Sequence, residues 1–370
     1  MKPGFSLEEA VRAARSGTGV PGVAAGLSKA GAMSFAAEGV VALGGSDAVI
    51  ADTPFRIASI TKPFTSTLCA EAGVLDDRAR ALLSHTAGLR CESVTALPEQ
   101  CRGLWSYSNT GYWAAAALAA GACAASFEEA MRTRVLEPFG LAATGLDEPA
   151  DCARGHVQER GSGHRAVLED AYSVARRPSG GLWSTAADLL RFGERHLGSY
   201  AALQEPQAEA LGARYALGWW VRDLAGRTAV EHEGSVAGYQ SLLLLVPDEE
   251  LVLAVLTNSW RGSGLIRRVI EALGLARRAT GGGQVPEGVT GTYALDGAEA
   301  VVEASGDGLS VTSSETDPVT GTRTEVRFPA RALGGRVFGT AGGLLQSHRL
   351  DFPRAGVARV GWVALPRVSS

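Results

Sequence analysis

The chain alternates between two kinds of hydrophobic spacing, and each kind occupies its own regions. Residues 6–16 carry the apolar spacing of an N-terminal helix. From residue 20 to residue 57, short apolar runs alternate with glycine turns, as in VPGVAAGLSKAGAMSFAAEGVVALGG, a pattern typical of antiparallel strands. Alanine-rich segments then predict helices up to about residue 197, among them residues 110–120, 127–136 and 185–196.

Strand spacing returns between residues 215 and 258, where glycine, aspartate and proline separate four apolar runs. These runs are YALGWWVRD, RTAVEHEG, YQSLLLLVPD and ELVLAVLTN, and we expect them to pair as an antiparallel meander. A last helix is predicted over residues 264–275. Because strands from both ends of this region flank a central helical part, the sequence predicts an α+β fold with helices packed on an antiparallel sheet.

The pattern changes again at ATGGGQVPEG, a glycine-rich stretch typical of a linker. Beyond residue 289 the helical spacing disappears, and short alternating segments such as AVVEAS, TEVRFPA and ARVGWVAL predict strands. We therefore predict a first domain over residues 1–278, a linker over residues 279–288 and a small antiparallel β domain over residues 289–370. No candidate catalytic group lies in the β domain.

Composition and charge narrow the class of protein. Of the 370 residues, 46% are hydrophobic and 20% are charged, as in ordinary globular proteins. The formal net charge of -4 comes from acids and bases mixed along the whole chain, so no basic stripe is present to bind a phosphate backbone. The apolar runs fall far short of the roughly 20 residues that span a bilayer. We expect no nucleic-acid partner and no membrane anchor.

The N-terminal segment bears on the cellular location of the protein, and the cysteines and histidines bear on disulfide formation and metal binding. MKPGFSLEEAVRAARSG lacks the continuous apolar stretch of a secretory signal, which predicts a cytoplasmic protein. The cysteines are odd in number and widely spaced, without a Cys-x-x-Cys pair, and are interpreted as reduced structural thiols. They are Cys69, Cys91, Cys101, Cys123 and Cys152. His156 and His164, with Glu159 between them, are interpreted as solvated side chains, and no metal site is expected.

The first candidate for chemistry is Ser59-Ile60-Thr61-Lys62, which follows FRIA and is predicted to open a helix. One helical turn separates Ser59 from Lys62, so the serine hydroxyl can lie within reach of the lysine amine. A helix N-terminus also offers free N–H groups and partial positive charge to a developing anion. By itself this spacing is common, and a capping serine beside an exposed lysine also explains it.

Two segments later in the chain carry further groups that could take part in catalysis. Tyr107-Ser108-Asn109, within WSYSNTGYW, supplies a phenol able to relay a proton and an amide able to orient a lysine or a substrate carbonyl. His232-Glu233-Gly234-Ser235 ends a predicted strand, where Gly234 lets a substrate approach the backbone and the Ser235 N–H can donate to an oxyanion. Taken singly, a core tyrosine in a turn and a surface histidine in a hairpin explain these segments as well.

In this order and spacing, the three motifs resemble those of serine β-lactamases and penicillin-binding proteins, whose related set is Ser-x-x-Lys, Ser-Asp-Asn and Lys-Thr-Gly. The version with tyrosine is closer to class C β-lactamases, D-aminopeptidases, the carboxypeptidases of that group and related esterases. TPFRIASITKPFT, LLSHTAGL, RRPSGGLWSTAADLLRF, HEGSVAGYQSLLLLVPD and VLAVLTN extend the resemblance over about residues 15–275. It implies the β-lactamase fold, and the terminal β domain resembles the small lipocalin-like domains of several relatives.

The resemblance implies a division of the chemical work. Ser59 is the nucleophile that attacks an ester or amide carbonyl, and Lys62 and Tyr107 share the proton transfer, with the choice of base left open. The backbone N–H groups of Ser59 and Ser235 hold the oxyanion, a contribution of roughly 3–4 kcal/mol for each donor in comparable sites. No metal or organic cofactor is needed.

Other matching residues are assigned to substrate handling or to structure. Asn109 holds the lysine and the substrate amide, and His232 polarises the site or binds the acyl group. Gly234 and Tyr239 are expected to contact the substrate. His85 in LLSHTAGL belongs to a structural turn in this family and is not expected to act as a base.

Two departures from the family pattern bear on the activity. The segment between Lys62 and LLSHTAGL is shorter than usual, which trims one wall near the predicted site. The third motif carries His232 where β-lactamases have lysine, and a mostly neutral histidine lacks the permanent charge that suits a substrate carboxylate. Both departures favour an acyl hydrolase or transferase over a β-lactamase.

Three functions remain open at this point. The first is a serine hydrolase that cleaves an ester or amide of a small or peptide-like acyl substrate. The second is an acyltransferase that passes the acyl group to an amine or alcohol in a biosynthetic pathway. The third is a catalytically silent binding protein of the same fold. A small acyl substrate is the expected partner, and the β domain shapes either the pocket or a homo-oligomer contact.

Overall fold

The computed structural model describes residues 6–159, 163–166, 172–224, 226–275, 285–316, 323–334, 337–339, 349–360 and 362–369. The chain forms two compact units. The first unit comprises Met1–Leu83, Tyr112–Pro206 and Ala216–Ala276, and the second comprises Ser84–Gly111, Gln207–Tyr215 and Arg277–Ser370. Most of the predicted linker lies outside the described residues, and the predicted domain boundaries stay a prediction.

The helices predicted over residues 6–16, 110–120, 185–196 and 264–275 all form, with ends within three residues of the prediction. The described residues contain the following α-helices. They are α1 (Leu7–Arg15), α2 (Thr61–Glu71), α3 (Asp77–Leu83), α4 (Asn109–Cys123), α5 (Phe127–Met131), α6 (Glu137–Phe139), α7 (Arg177–Gly180), α8 (Ala186–Gly198) and α9 (Gly262–Ala272). A π-helical turn over Arg132–Leu136 joins α5 to α6. No helix in the described ranges is both long and apolar enough to cross a membrane.

Local capping chemistry sets the start of two of these helices. The Ser6 hydroxyl accepts from the Glu9 backbone N–H at 3.1 Å, and the Glu9 carboxylate accepts from the Ser6 N–H at 2.9 Å, which forms a capping box at α1. The Thr185 hydroxyl accepts from the Asp188 N–H at 3.2 Å and caps α8. Serine and threonine are among the residue types most often found at helix N-caps.

The first unit is built on an antiparallel sheet. Its strands follow the order β2 (Ala32–Gly39), β1 (Gly22–Lys29), β12 (Leu251–Thr257), β11 (Tyr239–Val246), β10 (Arg227–Val236) and β9 (Trp220–Leu224). Every residue of β12 is buried, which explains its continuous apolar run. Helix α8 packs so closely that a Cβ atom on Gly193 would lie 2.4 Å from a Val252 methyl carbon.

Three short pairs of strands complete the described strands outside the C-terminal region. In the first unit, β3 (Phe55–Arg56) pairs with β6 (Trp183–Ser184), and β4 (His156–Glu159) pairs with β5 (Gly163–Ala166). In the second unit, β7 (Ala208–Ala210) pairs with β8 (Ala213–Tyr215).

The C-terminal part of the second unit is a closed barrel, which confirms the predicted all-β character. Tyr293, Leu309, Phe328, Phe338 and Phe352 fill its centre. Its strands follow chain order as β13 (Gly291–Leu295), β14 (Ala298–Ser305), β15 (Gly308–Thr316), β16 (Arg323–Gly334), β17 (Val337–Gly339), β18 (Arg349–Arg354), β19 (Val357–Val360) and β20 (Val363–Ser369). Pairing of the first strand with the last closes the barrel and removes the free sheet edges.

A buried histidine on α8 predicts how the stability of the fold depends on pH. The Thr67 hydroxyl donates to the Pro63 carbonyl at 2.9 Å, so His196 Nε2 is the donor in its 3.0 Å contact with Thr67. The Nδ1 atom has no hydrogen-bond partner among the described residues. Burial lowers the pKa of His196 to about 3, far below the value of about 6.5 in an unfolded chain.

We expect this histidine to destabilise the protein in acid. Between those two pKa values the unfolded chain binds a proton that the native chain excludes, so stability falls as the pH drops below about 6.5. Replacing His196 with phenylalanine keeps the aromatic packing and should reduce the loss by about 1.4 kcal/mol per pH unit. Urea unfolding between about pH 7 and about pH 4 measures this slope. An unchanged slope in the variant would contradict the assignment.

Candidate active site

Ser59 lies in a short 3₁₀ turn, Ala58–Ile60, directly before α2. The Ile57 N–H donates to the Leu182 carbonyl at 3.0 Å, which fixes the chain just before the turn. Ala58 has φ = +46°, a left-handed conformation that strains a residue with a Cβ atom. The α-helix therefore begins at Thr61, slightly later than predicted, and Ser59 stays partly exposed while Ala58 is buried.

Lys62 is fully buried on the first turn of α2 and faces Ser59. Its Nζ atom lies 3.3 Å from Ser59 Oγ and donates to the Ser179 carbonyl at 2.8 Å. The same atom lies 5.3 Å from the centre of the Tyr112 ring. Burial separates the amine from bulk water, and the Ser59 hydroxyl is one of the polar groups next to it.

The segment around α7 holds the carbonyl that binds Lys62. The Ser179 hydroxyl donates to the Arg176 carbonyl at 3.0 Å and accepts from Trp113 Nε1 at 3.0 Å. The Thr65 hydroxyl of α2 donates to the Pro178 carbonyl at 2.7 Å. Sequence reasoning gave RRPSGGLWS no role in the site, because a backbone carbonyl leaves no side-chain signature.

Strand β10 lies directly against the turn that carries the nucleophile. A Cβ atom on Gly234 would lie 2.1 Å from the Ile57 carbonyl oxygen and 2.2 Å from Ser241 Oγ. The Ser241 hydroxyl donates to that same Ile57 carbonyl at 3.0 Å. Gly234 is thus needed for close approach of two parts of the protein, whereas the sequence analysis assigned its small size to substrate approach.

Ser235 follows on β10 and is exposed, and its hydroxyl accepts from Gln240 Nε2 at 2.8 Å. The side chain therefore pairs across the β10–β11 hairpin, which leaves the backbone N–H as the group to be tested for an oxyanion role. That role of the Ser59 and Ser235 N–H groups stays a prediction.

His232 is buried in β10, which excludes the alternative of a surface histidine. Its Nδ1 atom lies 2.7 Å from the Glu233 carbonyl, so Nδ1 carries the proton and Nε2 holds the lone pair. Burial, and then the charge of Lys62, lower the pKa of His232 to about 3. The ring is therefore neutral near pH 7 and provides no positive charge for a substrate carboxylate.

An ion pair on the neighbouring strands was missed from the sequence. Arg222 of β9 donates through Nε to Glu231 of β10, and both side chains are buried. The Arg222 guanidinium also lies 5.0 Å from the centre of the Trp220 ring. The Arg222 charge is thus paired with Glu231, the residue that precedes His232. Arg222 stands among apolar residues in WWVRDL, a signal that points to a buried charge.

Tyr107, from the second of the three motifs, lies in the second unit. Tyr107 is buried, its N–H donates to the Trp362 carbonyl at 2.8 Å, and its ring lies 4.3 Å from the His85 ring. His85 Nδ1 accepts from the Ser108 N–H at 3.0 Å, while Nε2 contacts the Tyr215 hydroxyl at 3.2 Å. His85, at φ = +61°, therefore fixes the backbone beside the motif, in line with its expected structural role.

Asn109 begins α4 and is partly exposed. Its amide NH₂ donates to the Glu92 carboxylate and lies 3.9 Å from Cys91 Sγ. The predicted roles of Asn109 toward the lysine and the substrate stay predictions. Sequence reasoning missed Glu92, because the loop between residues 90 and 97 carries no regular pattern.

Tyr239 lies inside the first unit, where its hydroxyl donates to the Ala153 carbonyl at 2.9 Å. Its ring meets Trp183 edge-on at 5.8 Å and fills the space above Gly155, whose Cβ would lie 2.4 Å away. Burial raises the pKa of Tyr239. These are the contacts of a core residue of β11 that packs against Trp183 of β6, and the substrate contact stays a prediction.

The expectation for His156 is wrong. This side chain is fully buried: Nδ1 lies 2.9 Å from the Asn258 carbonyl, and Nε2 accepts from the Leu43 N–H at 3.1 Å. It ties three segments together, because a neutral imidazole can satisfy a donor and an acceptor at once. The side chain of His164 lies outside the described residues.

A partly exposed serine beside a buried lysine, on an antiparallel sheet flanked by helices, defines the class of serine acyl-transfer hydrolases. The profile of the family described as Beta-lactamase matches residues 7–276. The chain belongs to this family. The resemblance identified from the motifs and the predicted fold class are thereby confirmed.

A curated relative is similar to this chain in sequence, and solved structures are similar to it in fold. Penicillin-binding protein 4 of Amycolatopsis lactamdurans is 27% identical over 320 residues, which cover 68% of this chain and 84% of the relative. The crystal structure of SurE gives a TM-score of 0.75 at 22% identity and covers 98% of both chains, and SurE with D-Leu gives 0.70. D-amino acid amidase from Ochrobactrum anthropi, solved with L-phenylalanine amide, gives 0.61 at 20% identity, with 72% of this chain and 98% of that one covered.

Proposed function

We propose that this protein is a serine hydrolase that forms an acyl-enzyme on Ser59 from an ester or amide. The observation that carries the proposal is the 3.3 Å contact between the partly exposed Ser59 hydroxyl and the amine of the fully buried Lys62. A nucleophile open to substrate, with its proton acceptor shielded from water, is the arrangement that covalent catalysis requires.

In the proposed reaction, Ser59 Oγ attacks the carbonyl carbon while its proton passes to Lys62 or Tyr107. The oxyanion of the tetrahedral intermediate is held by the N–H groups of Ser59 and Ser235. The bond to the leaving alcohol or amine then breaks, and the leaving group takes up the proton. Water attacks the acyl-enzyme in the same way and releases the acid and the free serine.

The neutral His232 narrows the proposed substrate. Without a cation at this position, the site gains little from a free carboxylate of the kind that β-lactams carry. Two neighbours concern D-amino acids by name, SurE with D-Leu and D-amino acid amidase. These points support a D-aminoacyl ester or amide, or a peptide-like acyl group with a D-residue, as the acyl donor.

Labelling with a fluorophosphonate tests the nucleophile by intact-mass spectrometry. We expect one adduct on the wild-type protein and none on Ser59→Ala. Ser66→Ala is the matched control, since Ser66 lies buried on α2 near the same turn and should leave labelling unchanged. An adduct of equal size on Ser59→Ala overturns the assignment of the nucleophile, and the absence of an adduct on the wild type overturns the proposal in favour of a silent binding protein.

A substrate panel distinguishes hydrolysis from acyl transfer. D- and L-amino acid amides, p-nitrophenyl esters and nitrocefin are compared with and without an added amine. Faster turnover of D-aminoacyl donors than of nitrocefin supports the proposed substrate class. Formation of an amide product in excess of the free acid would favour the acyltransferase alternative, which uses the same acyl-enzyme.

A further inference from the structure

The C-terminal barrel makes direct contact with the tyrosine motif. We define the Trp362 hairpin as β19, β20 and Trp362, which directly precedes β20. The Trp362 carbonyl accepts from the Tyr107 N–H at 2.8 Å, and the Ala364 N–H donates to the Ser106 hydroxyl at 3.2 Å. The Tyr107 and Trp362 rings lie 5.5 Å apart. The hairpin therefore holds both the backbone and the ring of Tyr107.

The barrel also holds the β7–β8 hairpin. Arg359 of β19 binds both carboxylate oxygens of Asp351 on β18, at 2.7 Å and 2.5 Å, and donates to the Glu209 carbonyl at 3.0 Å. Asp351 accepts from the Leu211 N–H at 3.0 Å, and Arg349 donates to the Leu211 carbonyl at 3.2 Å. These side chains are buried, and a paired, bidentate arginine is a rigid anchor there.

The β7–β8 hairpin, which the barrel holds, also contacts the tyrosine motif. Tyr215, the last residue of β8, contacts His85 Nε2 through its hydroxyl at 3.2 Å. His85 Nδ1 in turn accepts from the Ser108 N–H at 3.0 Å. Two consecutive backbone N–H groups, those of Tyr107 and Ser108, are thus held by the barrel or by residues anchored to it.

We propose that the barrel is a positioning element for catalysis, in which the Trp362 ring fixes the Tyr107 ring for proton transfer. This inference rests on the proposed function of Tyr107. Proton transfer requires donor and acceptor atoms about 2.6–3.2 Å apart, and a misplacement of about 1 Å lowers a rate roughly 100-fold. The His85 ring lies 4.3 Å and the Trp362 ring 5.5 Å from the Tyr107 ring, so both are close enough to pack against it.

The test removes the ring and keeps the backbone carbonyl. In the full chain, Trp362→Ala should lower kcat about 30- to 100-fold with little change in KM, whereas Trp362→Phe should keep most of the activity. Val368→Ala is the matched control, because Val368 lies on β20, the strand that follows Trp362, and is 59% exposed. Thermal unfolding of each variant checks that the fold is intact.

A double-mutant cycle shows whether Trp362 acts through the tyrosine. Tyr107→Phe should lower kcat about 100-fold or more, and Trp362→Ala added to it should have less than about a twofold further effect. Wild-type kcat in Trp362→Ala, or an equally large loss in the Tyr107→Phe background, overturns the inference. Neither outcome contradicts the proposed function, which is contradicted only if Ser59 forms no fluorophosphonate adduct.

Discussion

Replacing Lys62 with methionine is expected to lower kcat/KM about 1000-fold while the free energy of unfolding stays within about 1 kcal/mol of the wild-type value. We expect the activity to fall because the proposed reaction uses this amine, 3.3 Å from Ser59 Oγ, in proton transfer. The free energy of unfolding changes little because methionine fills the buried space of lysine. Methionine has no amine whose loss of hydration opposes folding. Steady-state kinetics and urea unfolding measure the two quantities.

Two further variants isolate the role of the amine. Lys62→Arg keeps a positive charge, but a guanidinium does not give up its proton, so this variant should also be inactive if Lys62 moves protons. Lys29→Met controls for the loss of a lysine, since Lys29 lies on the surface with a side chain 47% exposed. If Lys62→Met keeps more than about a tenth of the activity, or if Lys62→Arg is active, the proton-transfer role is wrong.

The fold was largely predictable because its main elements have strong local signals. The strand runs between residues 215 and 258 correspond to β9–β12, and their lack of clear alternation reflects burial on both faces. The apolar spacing of residues 6–16 and 185–196 predicts α1 and α8 closely. The π-helical turn at Arg132–Leu136 was not predictable, since one extra residue in a turn leaves the apolar spacing almost unchanged.

The side-chain motifs of the site were also visible in the sequence, but their supporting contacts were not. The spacing of Ser59 and Lys62 predicts their contact because one helical turn fixes it. The Ser179 carbonyl that binds Lys62 and the Trp362 carbonyl that binds Tyr107 come from distant parts of the chain. A backbone carbonyl belongs to every residue, so no residue type marks these positions.

The error at His156 has the same origin. A histidine in a polar, glycine-containing stretch looks solvated when only its neighbours in sequence are considered. Its actual partners, Asn258 and Leu43, lie on segments that the fold brings to it. Polar residues whose partners are distant backbone groups are therefore the ones that sequence patterns misplace.

Replacing Gly234 with alanine is the second change expected to have a large effect, and it tests whether β10 sets the position of the nucleophile. The new Cβ atom would lie 2.1 Å from the Ile57 carbonyl oxygen, so the strand and the Ile57–Ser59 segment must move apart. Such overpacking lowers stability by about 1–3 kcal/mol. Because Ser59 follows Ile57 by two residues, we expect kcat/KM to fall about 100-fold or more.

The controls separate the clash from a general effect of alanine. Gly121→Ala, in α4, meets no atom within 4 Å and should leave activity unchanged while raising stability by up to about 1 kcal/mol. Ser241→Ala removes the other close atom, yet Gly234→Ala combined with it should stay impaired, since the Ile57 carbonyl is backbone and cannot rotate away. Full activity in Gly234→Ala, or complete rescue by Ser241→Ala, would show that the packing of β10 on the Ile57 backbone does not position Ser59.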